Sequence, residues 1–241
     1  MHGNDVEHWR GAAADWIAWA RTPGHDAFWA YRDALAALIG PGDGAPAVDI
    51  GCGEGRVSRL LGDLGWTVSA CDGVAEMAEA ARDLASAPRI DVAPAHALPY
   101  PDAAFSLVLL YNCLMDIEDL DAALAEARRV AAPSARVFVS LVHPVADLLA
   151  DDALLAAHRH GPGARSYFDD RPIDAQVASG GLAMHFSGWA RPLTAYTQAL
   201  ARAGFADLRL HEPAPSDDAV HARHAKWARL PLFLWMEARA A

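Results

Sequence analysis

The chain has 241 residues, a length at which a single α/β domain buries a core without disulfide bonds. Its formal net charge is −11, and its Lys and Arg residues form no cluster of the kind that binds phosphate backbones, which argues against a nucleic-acid substrate. The N-terminus lacks a basic region followed by an apolar run, and no apolar stretch approaches the roughly 20 residues that span a bilayer, so neither a signal peptide nor a membrane segment is expected.

Three cysteines, Cys52, Cys71 and Cys113, each lie within or beside an apolar segment. An odd number in such positions indicates reduced thiols and not a disulfide framework. We therefore expect a cytoplasmic protein, and the sequence is compatible with either a monomer or a homodimer.

The first forty residues predict two helices, which we interpret as an N-terminal lid (residues 1–40). Trp9, Trp16 and Trp19 recur at a spacing that puts them on one helical face. A Pro-Gly break follows, and Asp26 is the expected N-cap of the second helix. The Gly- and Pro-rich residues 40–44 then end that helix.

From residue 45 onward, short apolar strands alternate with helices. The predicted strands are 47–50, 67–71, 90–93, 105–111 and 136–142, and the predicted helices between them are 56–64, 75–84 and 120–130. This alternation predicts an α/β fold with a doubly wound, mostly parallel sheet, because a helix is the usual connection between parallel strands. In such a sheet ligands bind beyond the carboxyl ends of the strands, and we assign residues 45–142 to a cofactor-binding core.

The alternation of strands and helices stops after residue 142. Residues 143–191 mix Gly, Pro, Asp and His with aromatic residues, and we interpret them as an insertion that caps the substrate, with 166–168 and 182–186 paired as a small hairpin. Residues 192–241 are predicted to close the sheet with one helix and two strands. The chain, 1–241, is thus predicted to be one domain with a seven-stranded sheet whose last strand is antiparallel.

A glycine-rich turn follows the first strand, in the segment Val48-Asp49-Ile50-Gly51-Cys52-Gly53-Glu54-Gly55-Arg56. Glycines at alternate positions let the backbone of such a turn approach a ligand closely. The dinucleotide fingerprint requires a glycine at the sixth position, which is Arg56 here, so a nicotinamide or flavin dinucleotide is disfavoured. Asp72 lies about 20 residues further on, where a carboxylate can accept hydrogen bonds from ribose hydroxyls. The two features together predict an adenosine-containing ligand.

Four segments together resemble the class I (Rossmann-like) S-adenosylmethionine-dependent methyltransferases, especially the small-molecule group with UbiE-like core motifs. The first is the glycine-rich turn itself. The others are Cys71-Asp72 with 76–77 and 80–82, the segment 97–108, and the segment 126–133. The resemblance implies S-adenosylmethionine as cofactor, with S-adenosylhomocysteine as its product. It does not identify the methyl acceptor.

The resemblance also implies a role for each matching residue. Gly51 and Gly53 would pack against the methionine portion of the cofactor, while Asp72 would hold the ribose and Met77 would flank the adenine. The full set of implied cofactor-binding residues is Asp49, Gly51, Cys52, Gly53, Arg56, Asp72, Gly73, Met77, His96, Ala97, Leu98 and Tyr111.

Three residues are candidates for catalysis. Tyr111 and Asn112 end the fourth strand, and the resemblance puts them near the reacting methyl group. His143 follows the fifth strand, and its ordinary pKa suits a general base, although a histidine here can instead cap the strand end. A base is needed only if the acceptor must lose a proton. No Asn/Asp-Pro-Pro-Tyr/Phe motif occurs near Tyr111, which argues against amino groups of DNA bases or glutamine side chains as acceptors.

The candidate substrate-binding residues combine aromatic rings with cationic groups, a composition that suits a small polar or aromatic molecule. They are Trp19, Tyr167, His185, Phe186, Trp189 and Arg191. Packing within the cap is the alternative role for each of them. We expect no metal site, because the pairs His158 with His160 and His221 with His224 lack a third ligand at credible spacing.

The sequence therefore predicts an enzyme that transfers a methyl group from S-adenosylmethionine to an oxygen, nitrogen or carbon atom of a small metabolite, such as a natural-product intermediate. Two alternatives stay open, because a fold alone does not choose the chemistry. One is a module that binds an adenosine ligand without catalysis. The other is an NAD(P)-dependent oxidoreductase, against which Arg56 argues. Neither nucleic acid nor a membrane is an expected partner.

Overall fold

Nine strands occur in the part of the chain that the computed structural model describes, which is residues 4–22, 24–149, 167–216 and 225–241. In chain order the strands are β1 (Pro46–Ile50), β2 (Thr67–Asp72), β3 (Arg89–Val92), β4 (Phe105–Tyr111), β5 (Ala131–Val142), β6 (Arg171–Ser179), β7 (Leu182–Ala190), β8 (Phe205–His211) and β9 (Phe233–Ala240). The α-helices are α1 (Asn4–Arg21), α2 (Phe28–Ile39), α3 (Arg56–Asp63), α4 (Ala75–Asp83), α5 (Leu120–Val130), α6 (Pro144–Leu149) and α7 (Leu193–Arg202). Short 3-10 helices cover Leu114–Asp116 and Ala225–Ala228.

Seven of these strands form one sheet in the order β3-β2-β1-β4-β5-β9-β8. The pairs among the first five strands are parallel, whereas β9 runs antiparallel to both β5 and β8. The predicted seven-stranded, mostly parallel sheet with an antiparallel last strand is therefore confirmed. The chain order of the strands reverses between β1 and β4, and the crevice at such a point is where doubly wound sheets bind their ligands.

The structure confirms each helix and strand predicted between residues 45 and 142, with some ends shifted. The largest shift is in β5, which begins at Ala131 and changes register against β4 between Phe105 and Leu107. The last strand begins at Phe233, two residues after Pro231, which lacks the N–H that strand pairing needs. Asp26 lies two residues before α2, where its Oδ1 accepts a hydrogen bond from the Phe28 N–H at 3.0 Å.

β4 divides the hydrophobic core into two layers. Val108 and Leu110 belong to the cluster on one side of the sheet, with α5 and α7, whereas Leu107, Leu109 and Tyr111 belong to the cluster on the other side, with α2 and α3. All five side chains are at most 5% exposed. β4 is thus buried on both faces, as its continuous apolar run predicts, and its last residue points towards α2.

A two-stranded hairpin follows β5 in the chain, but its pairing differs from the predicted one. β7 pairs with β6, and Gly180 and Gly181 connect the two strands with φ angles of 56° and 82°. Two glycines with positive φ form the turn that matches the twist of a tight hairpin. The predicted pairing with residues 166–168 was wrong, because the tight Gly-Gly turn pairs β7 with the residues directly before it. Tyr167 and Phe168 lie in a turn before the hairpin, and residue 166 lies outside the described residues.

The hairpin packs between α1 and the segment that follows β4. The centroid of the Phe186 ring lies 6.2 Å from that of Trp16 and 6.5 Å from that of Trp19, and both contacts are edge-on. On the other side, Gly188 lies so close to the 3-10 helix that an added Cβ would be 2.9 Å from the Met115 carbonyl oxygen. These contacts fix the hairpin beside the carboxyl ends of the central strands.

Two global properties follow from the described residues. No helix among them has both the length and the apolar character that crossing a bilayer requires. Cys52, Cys71 and Cys113 are all free thiols, as predicted. The histidine pairs considered for metal binding, at 158 and 160 and at 221 and 224, lie outside the described residues.

The close approach of Gly188 generates a stability prediction. Gly188→Ala should lower the free energy of unfolding by about 1–3 kcal/mol, because the added Cβ would overlap a backbone carbonyl that cannot move freely. Gly62→Ala is the control, since Gly62 is exposed on α3 and an added Cβ there meets nothing within 4 Å. Urea denaturation of both variants measures the difference, and equal midpoints would refute the packing described here.

Candidate active site

A cavity of about 540 Å³ lies at the carboxyl ends of β1, β2 and β4. Its volume falls in the range of about 300–1,000 Å³ that is usual for small-molecule sites. Parts of the glycine-rich turn, the β2 and β4 ends, α1 and the hairpin all contribute lining residues. The cavity therefore occupies the position that the strand order favours for ligand binding.

The glycine-rich turn presents backbone to this cavity. Gly51 has a φ of 72°, and a Cβ at this position would lie 2.7 Å from the Cys113 Cβ. The Gly51 and Cys52 N–H groups both donate to the Cys71 carbonyl, at 2.8 Å and 3.0 Å. Gly51, Cys52 and Gly53 all line the cavity. Because the two glycines have no side chains, a ligand there can approach their main chain closely.

Asp72, at the end of β2, is held by two backbone donors. Its Oδ2 accepts the Gly53 N–H at 2.8 Å, and its Oδ1 accepts the Val74 N–H at 2.9 Å. Burial raises the pKa of the Asp72 carboxyl, and the two N–H donors oppose that rise. Each carboxylate oxygen has acceptor capacity beyond its one bond. The side chain lines the cavity, so it can accept hydrogen bonds from a bound diol.

Asp49 is buried at the end of β1, with 1% of its surface exposed. Its Oδ2 accepts a hydrogen bond from the Ser58 hydroxyl at 2.6 Å, whereas its Oδ1 has no partner among the described residues. Burial raises the pKa of Asp49 from 3.8 to about 6. A buried carboxylate oxygen without a donor is rare in proteins, and Asp49 lines the cavity. The free oxygen indicates that a ligand donor belongs beside it.

Arg56 connects the glycine-rich turn to the N-terminal helices. Its Nε lies 2.7 Å from Asp26 Oδ2, and both side chains are about nine-tenths buried. Its guanidinium also lies over the Trp16 ring at 4.8 Å and over the Phe28 ring at 5.5 Å. Arg56 lines the cavity as predicted for a cofactor residue, but its charge is already balanced by Asp26.

The opposite end of the cavity is apolar and covered by α1. Met77 and Val74 form a small cluster with side chains of α1, among them Val6 and Trp9. Gly73 also lines the cavity, and a Cβ there would lie 3.3 Å from Val6 Cγ2. This end of the cavity is therefore lined by apolar side chains from α1 and α4.

Two predicted cofactor residues do not belong to the cavity lining, although their neighbour His96 does. The Ala97 N–H closes a turn onto the Pro94 carbonyl. Leu98 is buried in the core, its N–H donates to Glu126 Oε2 at 2.8 Å, and its carbonyl accepts from Arg129 at 3.0 Å. Both residues belong to the connection between β3 and β4, which Leu98 joins to α5.

The candidate catalytic residues separate into two groups. Tyr111 and Asn112 line the cavity at the end of β4, and the Asn112 Oδ1 accepts a hydrogen bond from the Ser140 hydroxyl at 2.6 Å. His143 is not part of the lining: its Nδ1 accepts the Val145 N–H at 3.0 Å, and its Nε2 faces Glu212 at 3.1 Å. With both ring nitrogens engaged at the strand end, the geometry favours the capping role over a general base.

Of the six candidate substrate residues, only Trp19 and Phe186 belong to the described cavity lining. The Tyr167 hydroxyl accepts the Leu193 N–H at 3.0 Å at the start of α7. His185 lies 2.5 Å from Asp174 across the hairpin, and Trp189 packs against the Arg191 guanidinium at 5.3 Å. These four side chains belong to the packing of the hairpin, which is the alternative that the sequence left open.

Arg191 nevertheless influences the cavity through the backbone. It is 5% exposed, and its guanidinium donates to the carbonyl oxygens of Leu114, Ile117 and Glu118 at 3.3, 2.8 and 3.0 Å. These carbonyls belong to the segment after β4, whose residues 115–119 line the cavity. No local pattern predicts this part of the lining, because residues 114–119 lie between the fourth strand and the helix predicted from residue 120, and a distant arginine binds their backbone.

Part of the chain matches known proteins. Residues 48–139 match a family model described as a methyltransferase domain. A segment of 112 residues is 34% identical to a malonyl-(acyl-carrier protein) O-methyltransferase from Serratia marcescens and covers 45% of this chain and 44% of that relative. A segment of 119 residues is 32% identical to the ubiquinone/menaquinone biosynthesis C-methyltransferase UbiE from Caulobacter sp. (strain K31). It covers 44% of this chain and 47% of that relative. The chain thus spans less than half the length of these relatives.

The fold extends the similarity beyond the matched segment. The structure resembles the crystal structure of an S-adenosylmethionine dependent methyltransferase from Mesorhizobium loti with a TM-score of 0.62, over 89% of this chain and 98% of that one. The two sequences are 23% identical, so this match establishes the shared fold alone.

The raised pKa of Asp49 generates a pH prediction. Because the neutral carboxyl is favoured in the folded protein, its stabilising contribution is present below pH 3.8 and is lost as the pH rises through about 6. Asp49→Asn is neutral throughout, so its free energy of unfolding relative to the wild type should rise by about 2 kcal/mol between pH 4 and pH 8. Urea denaturation at both pH values measures this, with the exposed Asp83→Asn as control. Parallel pH profiles would contradict the raised pKa.

The hydrogen bonds of Arg191 generate a second prediction. Arg191→Lys keeps the charge but loses the planar fork, so at least one buried carbonyl loses its donor, and we expect a loss of about 2–3 kcal/mol in unfolding free energy. Hydrogen exchange should become faster at residues 114–119. Arg202→Lys, at an exposed ion pair with Asp121, is the matched control and should change stability little. An equal loss of unfolding free energy in the two variants would contradict the positioning role of Arg191.

Proposed function

We propose that this chain, which carries a class I S-adenosylmethionine-dependent methyltransferase domain, methylates a small molecule in the cavity at the carboxyl ends of β1, β2 and β4. S-adenosylmethionine is the cofactor of this domain family. The observation that carries the proposal is the pair of carboxylates, buried Asp49 and half-buried Asp72, on either side of a turn whose glycines leave the backbone open.

These residues fit the two polar ends of the cofactor. Asp72 would hold the ribose, because its fixed oxygens have acceptor capacity for hydroxyl groups. Asp49 would accept a hydrogen bond from the amino-acid portion, since its Oδ1 is buried without a partner among the described residues. Met77 would flank the adenine within the apolar pocket under α1. Arg56 would reach the cofactor carboxylate from its place in the lining while Asp26 holds its position.

The chain's own contribution to catalysis is positioning and exclusion of water. When bound, S-adenosylmethionine supplies a methyl group on a positively charged sulfur that departs as a neutral thioether. Such a methyl group needs no further activation, so holding the acceptor atom close and in line provides much of the rate. Tyr111 and Asn112 would contact the acceptor at the end of β4. His143 is not proposed as the base, because it does not line the cavity.

The size and covering of the cavity favour a small acceptor. The cavity of about 540 Å³ must hold the cofactor as well, which leaves room for a compact metabolite. We propose that α1 acts as a lid and that the hairpin acts as a substrate cap, with Trp19 and Phe186 against the acceptor. The free cysteines are consistent with a cytoplasmic enzyme, and a monomer or homodimer needs no other partner for this reaction.

The cofactor assignment predicts a binding defect. Asp72→Asn keeps one oxygen for the backbone but loses the negative charge, so S-adenosylhomocysteine should bind about 10- to 100-fold more weakly. Isothermal titration calorimetry measures the affinity, with Asp83→Asn, an exposed residue of α4, as control. Wild-type affinity of Asp72→Asn, or no binding by the wild type, would refute the assignment. Binding without transfer of labelled methyl to any small molecule would identify a non-catalytic module.

A further inference from the structure

We propose that the indole N–H of Trp9, on α1, is a hydrogen-bond donor to a ring nitrogen of the cofactor's adenine. This inference rests on the proposed function and adds to it a residue that lies outside the four matching segments. Trp9 lines the cavity, but it belongs to the helix that covers the site and not to the sheet or its loops. The covering helix would therefore take part in recognising the cofactor.

The Trp9 N–H is removed from water and has no acceptor. Its Nε1 is buried, and no hydrogen-bond partner for it exists among the described residues. Buried polar atoms in proteins are nearly always paired, because a donor that loses its water without gaining another acceptor lowers stability. A donor without an acceptor in the wall of a binding cavity is therefore expected to find one when the ligand is bound.

A second unpaired atom supports this interpretation. Asp49 Oδ1 is also buried in the described lining without a partner, whereas Arg56 Nε faces Asp26 at 2.7 Å and the Tyr111 hydroxyl interacts with a hydroxyl of β5. Asp49 thus offers an acceptor beside the glycine-rich turn, and Trp9 offers a donor at the apolar end of the cavity. S-adenosylmethionine has the complementary groups: an ammonium group that donates at its amino-acid end, and adenine nitrogens that accept at the other end.

The surroundings of Trp9 indicate which part of the ligand it would contact. Trp9 packs in one cluster with Val74 and Met77, at the start of α4. The connection after β3 contributes residues 93–96 to the lining, and three of these four are Ala or Pro. Apolar walls suit the faces of a heterocycle, while a few polar groups fix its orientation. An indole N–H donates only, so it would select an acceptor atom of the ring.

The face of α1 that carries Trp9 is turned towards the glycine-rich turn. Trp9 and Trp16 are seven residues apart, which places them on the same helical face. Their rings contact each other edge-on, with centroids 5.8 Å apart. The Trp16 Nε1 lies 3.3 Å from the point that a Cβ on Gly53 would occupy. A ligand bound along the turn would therefore lie beside the same face of the helix.

α1 is held in place at both of its ends. Near its beginning, Val6 packs so closely on the loop after β2 that a Cβ on Gly73 would lie 3.3 Å from Val6 Cγ2. At its last residue, Arg21 donates to the Ala80 carbonyl at 2.9 Å and lies 3.5 Å from Glu54 in the glycine-rich turn. A donor on a helix that is already ordered loses less conformational entropy on binding than one on a flexible segment.

An isosteric replacement tests the donor with little change of shape. With 3-benzothienylalanine in place of Trp9, sulfur replaces the N–H within the same fused ring system. S-adenosylhomocysteine should then bind about tenfold more weakly by isothermal titration calorimetry, because one hydrogen bond is lost. The urea midpoint of the unliganded protein should stay the same or rise, because the donor that is removed has no partner there.

The same replacement at Trp66 is the matched control. The Trp66 N–H donates to the Gly40 carbonyl at 3.1 Å, and Trp66 is not part of the cavity lining. Its replacement should lower the urea midpoint and leave the affinity unchanged. Unchanged affinity in the Trp9 variant would overturn the proposal. A lowered midpoint of the unliganded Trp9 variant would assign the N–H to packing within the protein and would overturn it as well.

Deaza analogues of S-adenosylhomocysteine identify the acceptor atom. The 1-deaza, 3-deaza and 7-deaza analogues each replace one ring nitrogen by C–H. One of them should bind the wild type about tenfold more weakly than the parent compound, and this difference should disappear in Trp9→Phe, since the two changes remove the same hydrogen bond. Differences that are equal in the wild type and in Trp9→Phe would contradict the proposed contact.

The wild-type titration reports separately on the proposed function. No binding of S-adenosylhomocysteine by the wild type would refute the cofactor assignment and the Trp9 contact together. Tight binding by the wild type with the same affinity in both Trp9 variants would refute the Trp9 contact alone. Tight binding by the wild type, weaker binding by both variants and the loss of one deaza difference would establish it.

Discussion

The arrangement of the site depends on the two backbone hydrogen bonds that the Asp72 carboxylate accepts. It joins the loop after β1, through the Gly53 N–H, to the loop after β2, through the Val74 N–H. These loops leave adjacent parallel strands beside the point where the strand order reverses, and the carboxylate is an acceptor that they share. Because the carboxylate is partly removed from water, it costs desolvation energy that these hydrogen bonds offset. The turn, Asp49 and the apolar pocket beside Met77 are all arranged around it.

A second layer completes the site from outside the sheet. α1 is joined to the turn by Trp16 over Arg56, while α1 and the hairpin share the packing of Phe186. On the far side, Arg191 ties the end of the hairpin to the backbone after β4. Each link pairs a side chain with a specific partner distant in sequence. The cavity wall is therefore a consequence of tertiary contacts and not of any one motif.

Local signals explain what could be predicted. The sheet follows from apolar runs such as 105–111, and the adenosine-ligand half follows from the spacing between Gly51 and Asp72. The rest depended on contacts that no local pattern encodes. His143 was expected at the cavity because it follows a strand, and Leu98 because the family resemblance implied it. Each instead has a hydrogen-bond partner in a distant segment, Glu212 for the His143 ring and Glu126 for the Leu98 N–H. Residues 115–119 were not predicted to line the cavity for the same reason.

The position of α1 has a kinetic consequence. Its N-terminal side covers the pocket of Met77 through Val6 and Trp9, and its C-terminal side covers the Phe186 region through Trp16 and Trp19. One helix thus covers both halves of the cavity. In the proposed methyl transfer, a displacement of this helix that admits one ligand would also uncover the place of the other, so donor and acceptor would enter and leave by one route. The proposed reaction would then be sequential, with both ligands enclosed together before either product departs.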